Sequence, residues 1–508
     1  MLSSRDHTPN APRYTLLALG VFVAALVVYM LTLAPGLLWG GGDFATFQTK
    51  AYTGQIESNI FGHPLWVILA RPFIALPIRD VAYRANMASA VFGAAALAFV
   101  YLSAWQITRS LGASLLATSA LGVSHTFWTY AVMPKPYSLN ALLLAACVYF
   151  LLRWRDTRRG LYLYFFAAIY GLSLLNHLVL LTSAAGFFVY IWLVARQPTD
   201  HASVRRQIAL AVFIYVAALA PYLLLILGAG QAEGTGGSIG LFLRGFFTAL
   251  TSPAALVLGL GAGIVLLLYQ FFLVAPIGLI GLRKSWALDR PAAFLLSLIA
   301  LGDVAFLLGA TDPRTGGDYV WNLHYYLQLY VVFALWSAIG FARLWPRLSQ
   351  GRLHLVFSML LVAVLPIGVY AVAPALARPF TANLPGFREL GGRDNLAYVL
   401  SPWKHTETGA RTFGESILAT LPPHAFFFAD YGIWTLIHYL QVVERARPDV
   451  TLVQLPGVDS GQQLPLILAH RDAGLLFLGD VNRYYDLAAI QAHFDVVAAG
   501  PIYRLTPK

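Results

Sequence analysis

The sequence predicts an α-helical polytopic membrane protein with a small α/β domain at its C-terminal end. Hydrophobic residues fill 58% of the 508 positions and charged residues only 11%, far from the roughly 25% charge of soluble domains. The apolar residues fall into runs near the ~20 positions a helix needs to cross a hydrocarbon core. Composition then changes near residue 376, beyond which lie 12 of the 23 acidic residues. The expected division is a membrane domain over 1–375 and an extracytoplasmic α/β domain over 376–508.

The first run, Tyr14 to Ala34, is too long for a signal-peptide core and has no clear small-x-small cleavage site, so it reads as an uncleaved first span. About eleven spans follow from the length criterion: 14–34, 86–108, 112–132, 137–152, 161–177, 179–195, 207–228, 256–280, 291–309, 324–342 and 354–375. Basic clusters check the count, because short cytoplasmic loops collect cations. The clusters are RWRDTRRG from Arg153, then Arg196 with Arg205 and Arg206, then Arg283, Lys284 and Arg290, and finally Arg343, Arg347 and Arg352. All fall on one side if the N-terminus is cytoplasmic and all eleven segments cross. Counting 60–78 as a further span would reverse every later loop. Its Pro64, Pro72, Pro77 and Arg71 favour a re-entrant or interfacial helix in a first outer loop spanning about 35–85. The run 161–195 has basic loops at both ends and is read as two short spans turning near Asn176 and His177.

The tail segment FFFADYGIWTLIHYLQVVERARPDVTLVQL reads strand, amphipathic helix, strand, with LLFLG and PIYRL as later strands. No internal repeat is visible, which counts against a secondary transporter. The formal charge of +11 resides in loops between apolar runs, so topology rather than a nucleic-acid partner accounts for it. The single cysteine, Cys147, excludes a disulfide framework and a cysteine-based metal site.

On this topology several polar residues reach the outer boundary. Asp43 follows the first span in LLWGGGDF, where three glycines suit a sharp turn. His63, Arg84, Lys135 in MPKPY, Asn176 with His177, Arg244, and Asp312, Arg314, Asp318 and His324 border the same surface. One carboxylate among several cations at a membrane surface suits acid–base chemistry on an anionic lipid headgroup.

The order LAPGLLWGGGDF, GHPLW, LPIRDVAYRANMASAVFGAAAL, HTFWTYAVMPKPYSLNALLL, GLSLLNHLVLL and then LPPHAFFFADYGIW resembles a bacterial protein O-mannosyltransferase-like membrane family within the GT-C glycosyltransferases. The resemblance covers most of the chain and is densest over 30–145 and 410–455. It implies a GT-C-like fold and a polyprenyl-phosphate-linked sugar as donor substrate; no other cofactor is expected, and a single Asp with nearby His, a weak oxygen-ligand set, leaves a divalent metal open. Where the family reads Trp-Asp-x-Gly-Glu-Phe, this chain has Trp39, Gly40, Gly41, Gly42, Asp43 and Phe44. Where it reads Ala-Glu-Val-Tyr, this chain has Pro134, Lys135, Pro136 and Tyr137.

Transfer of a sugar from a lipid phosphate to a hydroxyl needs one carboxylate to take the acceptor proton and cations to hold the departing phosphate. Asp43 is the expected base; the alternative is a helix N-cap or a solvated loop acid. His63, Arg84, Lys135, His177, Arg314 and His324 are the expected substrate-binding residues. For His63 the alternative is packing at the helix entry before Pro64, and for Arg84 anchoring the second span. For Lys135 and Arg314 it is snorkelling at the interface, and for the two other histidines ordinary hydrogen bonding. Asp303 lies inside a span and carries a functional flag, with a structural acid as the alternative. Asp430 reads as a turn residue. The expected reaction moves a hexose, mannose by resemblance, from a polyprenyl phosphate to a protein Ser/Thr or glycan hydroxyl on the outer face, by inversion. A non-catalytic export or scaffold component of envelope-glycan assembly, or a transporter, is the rival.

Overall fold

The computed structural model describes residues 11–39, 43–57, 62–197, 200–228, 247, 251–310, 323–348, 352–381 and 388–508. All eleven predicted spans coincide with helix. The first is α1 (Ala11–Leu31), followed by two short helices in the first loop, α2 (Phe44–Thr53) and α3 (Pro64–Ile74). At 1.5 Å per residue α3 is only ~16 Å long, too short to cross a bilayer.

Next come α4 (Val81–Thr108), α5 (Leu111–Gly122), α6 (His125–Ala131), α7 (Pro136–Thr157), α8 (Gly160–Ser173), a 3-10 turn (Leu178–Ser183) and α9 (Ala184–Ala195). They are followed by α10 (His201–Gly228), α11 (Pro253–Phe271), α12 (Ala275–Leu288), α13 (Arg290–Ala310), α14 (Leu327–Leu348) and α15 (Arg352–Ala377). Nine helical stretches among the described residues are long and apolar enough to cross a membrane. The two predicted spans outside that number are the passage 112–132, which is broken between α5 and α6 at Val123 and Ser124, and α8, which is only 14 residues long. The passage predicted at 256–280 runs further, through α11 and α12, and bends at Phe272, whose φ is +45°.

Local chemistry sets these boundaries. Asp80 caps α4 by accepting from the Tyr83 amide at 2.7 Å, Ser110 caps α5, and Pro136 occupies the first turn of α7, where its missing N–H costs nothing. Between α12 and α14 the backbones nearly touch. A Cβ at Gly281 would lie 1.7 Å from the Trp336 carbonyl oxygen, so only glycine permits the crossing. Buried Asp303 accepts from Thr182 Oγ1 at 2.6 Å and Gln328 Nε2 at 3.0 Å, tying α13 to the 3-10 turn and to α14.

The α7 helix runs ~33 Å from Lys135 at one end of the bundle to the arginine cluster at the other. There Arg155 pairs with Asp156 and Asp289, and Arg158 binds the Val194 carbonyl and Gln197.

Beyond α15 the chain forms α16 (Asn395–Leu400), α17 (Gly409–Thr420), β1 (Phe426–Ala429), α18 (Tyr431–Glu444), β2 (Thr451–Gln454), α19 (Gln463–Leu468), β3 (Leu476–Leu478), α20 (Leu487–His493), β4 (Phe494–Ala499) and β5 (Ile502–Pro507). The sheet order is β2-β1-β3-β5-β4, with β1 parallel to β2 and β3, and β5 antiparallel to β3 and β4. The elements β1, α18, β2, β3 and β5 coincide with the predicted strands and helix, and β4 is additional to them. Asp430 ends β1 as expected of a turn residue, capping α18 through the Gly432 amide and pairing with Arg388 at 2.7 Å.

This sheet shares a core with the first loop. Leu37, Trp39, Ala45 and Ala82 pack with Ile417, Leu436, Ile437 and Leu440. Trp39 Nε1 donates to Glu407 at 2.9 Å, and Arg411 bridges Asp80 at 3.0 Å and Glu444 at 2.7 Å. The effect is to seat α18 above α2.

Candidate active site

A cavity of about 660 Å³ lies between α2, the start of α7, the turn after α8, and α18. Asp43 and His63 enter it from equivalent positions, each preceding a short helix. Both have left-handed backbone, with φ of 59° and 49°, and neither side chain bonds to the helix it precedes. That conformation is uncommon for residues with a Cβ, and here it turns both side chains away from the helix end and into the cavity. Asp43 therefore stands at an N-cap position without capping. The glycines Gly40, Gly41 and Gly42, expected to make the preceding turn, lie outside the described residues.

Lys135 Nζ donates to Asp43 Oδ2 at 3.0 Å. The lysine side chain is only 8% exposed, whereas the Asp43 side chain is 49% exposed. The rings of Phe44, Phe47 and Tyr137 surround the ammonium at 5.4, 5.2 and 5.8 Å from their centroids. Burial pushes the Asp43 carboxyl up, but the charge and hydrogen bond of Lys135, helped by the Tyr431 hydroxyl and Lys50, outweigh it and hold the group below the usual carboxylate range. Burial pulls the Lys135 ammonium below its ordinary value, with Asp43 opposing. The cavity thus holds a carboxylate restrained by a cation that has few other polar contacts.

His63 and His177 stack at 5.0 Å behind this pair. His63 Nδ1 lies 2.6 Å from the Asn176 carbonyl oxygen, which can only accept, so the proton sits on Nδ1 and Nε2 is an acceptor. His177 Nδ1 accepts from the Val179 amide at 3.1 Å, so its Nε2 carries the proton and is a donor. Burial keeps both rings neutral, lowering His63 to about 3 and His177 well below the usual imidazole value.

The remaining wall comes from residues the sequence reading did not single out. Lys50, paired with Glu57 at 2.8 Å, lines one side together with Thr46 and Tyr325. Tyr431, Trp434, Thr435 and His438 on α18, with Gln454 at the end of β2, form the roof. The Tyr431 hydroxyl lies 2.9 Å from Thr46 Oγ1, and the Trp434 and His438 rings stack at 4.3 Å. The i, i+3, i+4, i+7 spacing of those four α18 residues is the one signal in the sequence for them, since it marks a polar and aromatic face opposite buried Ile433, Leu436, Ile437 and Leu440.

Of the expected substrate-binding residues, His63, Lys135 and His177 line the cavity with Asp43. Arg84 does not; its guanidinium binds the carbonyls of Asp80, Ile74 and Leu76 and so fixes the end of α3 against α4. His324 lies one layer back, stacked on Tyr137 at 4.0 Å and 3.3 Å from the Tyr130 hydroxyl. Arg314, with Arg244, Asp312 and Asp318, lies outside the described residues. Among the described residues no three His, Cys, Asp or Glu side chains converge as a metal-ligand set.

Residues 60–200 match the family described as the Protein O-mannosyl-transferase TMEM260 N-terminal domain. Over 493 residues the chain is 23% identical to Protein O-mannosyl-transferase TMEM260 of Mus musculus, which covers 91% of this chain. The chain in turn spans 66% of the length of that relative. The fold matches crystal structures of ArnT from Cupriavidus metallidurans. In the structure bound to undecaprenyl phosphate the TM-score is 0.59 at 13% identity, covering 97% of this chain and 98% of the other. It also matches the oligosaccharyltransferase AglB of Archaeoglobus fulgidus in complex with an inhibitory peptide and a dolichol-phosphate, with a TM-score of 0.52 at 11% identity over 97% and 74% of the two chains. The chain is therefore a multi-pass membrane protein with the GT-C fold, O-mannosyltransferase-like in sequence and similar over residues 60–200 to the TMEM260 N-terminal family.

Proposed function

We propose that the protein is an inverting membrane glycosyltransferase that moves a hexose, mannose by resemblance, from a polyprenyl phosphate to a protein Ser/Thr or glycan hydroxyl. Asp43 is the base and Lys135 the phosphate-binding cation. The observation that carries this reading is the Asp43–Lys135 pair inside a cavity roofed by α18 and the end of β2. The GT-C fold, and the lipid phosphates bound by ArnT and AglB, support a lipid-linked donor.

In this reading the donor phosphate enters between Lys135, Lys50 and the His177 Nε2–H group. It competes with Asp43 for the Lys135 ammonium, because a phosphate offers more acceptor oxygens and more charge. Once released, Asp43 loses the influence that held its pKa down and becomes a stronger base. The acceptor oxygen then attacks the anomeric carbon as its proton passes to Asp43. The bond from that carbon to the phosphate oxygen breaks, and its electron pair leaves on the phosphate. Donor binding thus prepares the base, so the donor binds before the acceptor reacts. On the topology read from the basic clusters, the cavity faces the extracytoplasmic side.

The test supplies purified protein with labelled mannosyl polyprenyl phosphate and hydroxyl acceptors. Coupled release of lipid phosphate and covalent labelling of the acceptor is the expected result. An intact donor, or labelled lipid that crosses a membrane without reacting, contradicts the reading.

A further inference from the structure

We propose that the exposed edge of β2 is the acceptor-docking surface, and that it takes an extended polypeptide added as a sixth strand. The proposal rests on the cavity being the transfer site and adds how the acceptor reaches it.

Strand β2 ends the sheet, with β1 on one side and no strand among the described residues on the other. The Thr451 and Leu455 amides donate to the Ala425 and Ala429 carbonyls. In this parallel register alternate residues face the partner strand, so the amides and carbonyls of Leu452 and Gln454 point outward from the sheet. Such an edge is a template for another strand. Native sheets blunt exposed edges with short strands, proline, bulges or charged side chains; β2 is four residues long and Pro448 and Pro456 flank it, so pairing is confined to Leu452 and Gln454, within a strand that itself carries no proline and no charge.

The edge leads to the chemistry. Gln454 is both the last residue of β2 and part of the cavity wall, beside Trp434 and His438. A strand paired with Leu452 and Gln454 and continuing in the direction of β2 advances ~3.3 Å per residue. One or two residues past Gln454, its side chains therefore reach the cavity that holds Asp43. Pairing by main chain alone recognises extended backbone and leaves side-chain choice to the cavity, which suits acceptors of varied sequence. A saccharide has no repeating amide to pair with this edge.

The test measures binding of a fluorescent nine-residue peptide, a central threonine flanked by valine and alanine, to the purified full chain. Two N-methylated versions carry methyl groups on alternate amides, one on the odd positions and one on the even. Methylation removes the donor and blocks pairing on one side of an extended peptide only. The expected result is binding of the parent and loss of roughly tenfold or more for one methylated version only, since two hydrogen bonds are lost. Equal loss for both versions, equal retention by both, or no peptide binding at all overturns the proposal. Because binding is read directly, a chain that shows the alternating pattern yet transfers no sugar refutes the transferase reading and leaves the docking surface standing.

Discussion

Asp43 holds its left-handed backbone at the start of α2 while its carboxylate bonds to Lys135 rather than to the helix. The competing role of N-cap, which glycines before an aspartate would suggest, is therefore not the one its side chain takes. The pair also makes a pH prediction. Asp43 is held below the usual range, so its carboxylate persists, and with it any activity that depends on it, until the pH falls through that depressed value. In Lys135→Met the two largest influences that lower the Asp43 pKa are gone, so it rises from its depressed value. The acid limb of the pH–rate profile should move to higher pH, and donor use should weaken about ten- to a hundredfold through loss of a charge-assisted contact. A limb unmoved and an unchanged KM for donor would make Lys135 a bystander. Lys135 and His177 were legible as cavity residues because they border predicted spans, and Asp43 and His63 because they lie in the first outer loop; topology alone put all four at one surface. Arg84 borders a span in the same way, yet its guanidinium is consumed by three backbone carbonyls. Sequence position fixes which end of a helix a residue occupies but not which way it faces.

The elements that complete the site come from opposite ends of the chain. Thr46 of α2 and Tyr431 of α18 touch although they are 385 positions apart, and no local pattern announces such a contact. The helix α18 was legible as an amphipathic run. Its destination was not, because its docking depends on Trp39, Arg411 and a core assembled from both regions. Trp39→Ala should test this. It removes a fully buried ring that also donates to Glu407, a loss of about 3 to 5 kcal/mol for such truncations. Thermal unfolding followed on tail fluorescence should shift down, and transfer should fall as the roof loosens. Wild-type stability in that variant would show that the tail is held elsewhere. Strand β4 went unread because FDVVAA follows the short helix α20 without a turn signal of its own.

For the whole molecule, all eleven predicted segments fall on helix, nine stretches among the described residues are long and apolar enough to cross a membrane, and the differences fall where length is a poor guide. Helix α8 is shorter than a usual span, α5 and α6 divide one passage, and α11 and α12 overrun another. The basic clusters lie at the end of α7 away from Lys135, which is the arrangement the positive-inside rule needs if the cavity is extracytoplasmic. A reporter active only in cytoplasm and fused after Lys508 should then be silent, and activity in an intact fusion would reverse the topology. The bundle and its roof are proposed to enclose one base, a role that Asp43→Asn puts to the test. The amide keeps the shape and most hydrogen bonding but cannot accept the acceptor proton. Single-turnover transfer from bound mannosyl polyprenyl phosphate should fall by about 10² to 10⁴, with donor affinity and thermal stability retained. Transfer at the wild-type rate, or loss of the folded protein without a specific loss of chemistry, would contradict it.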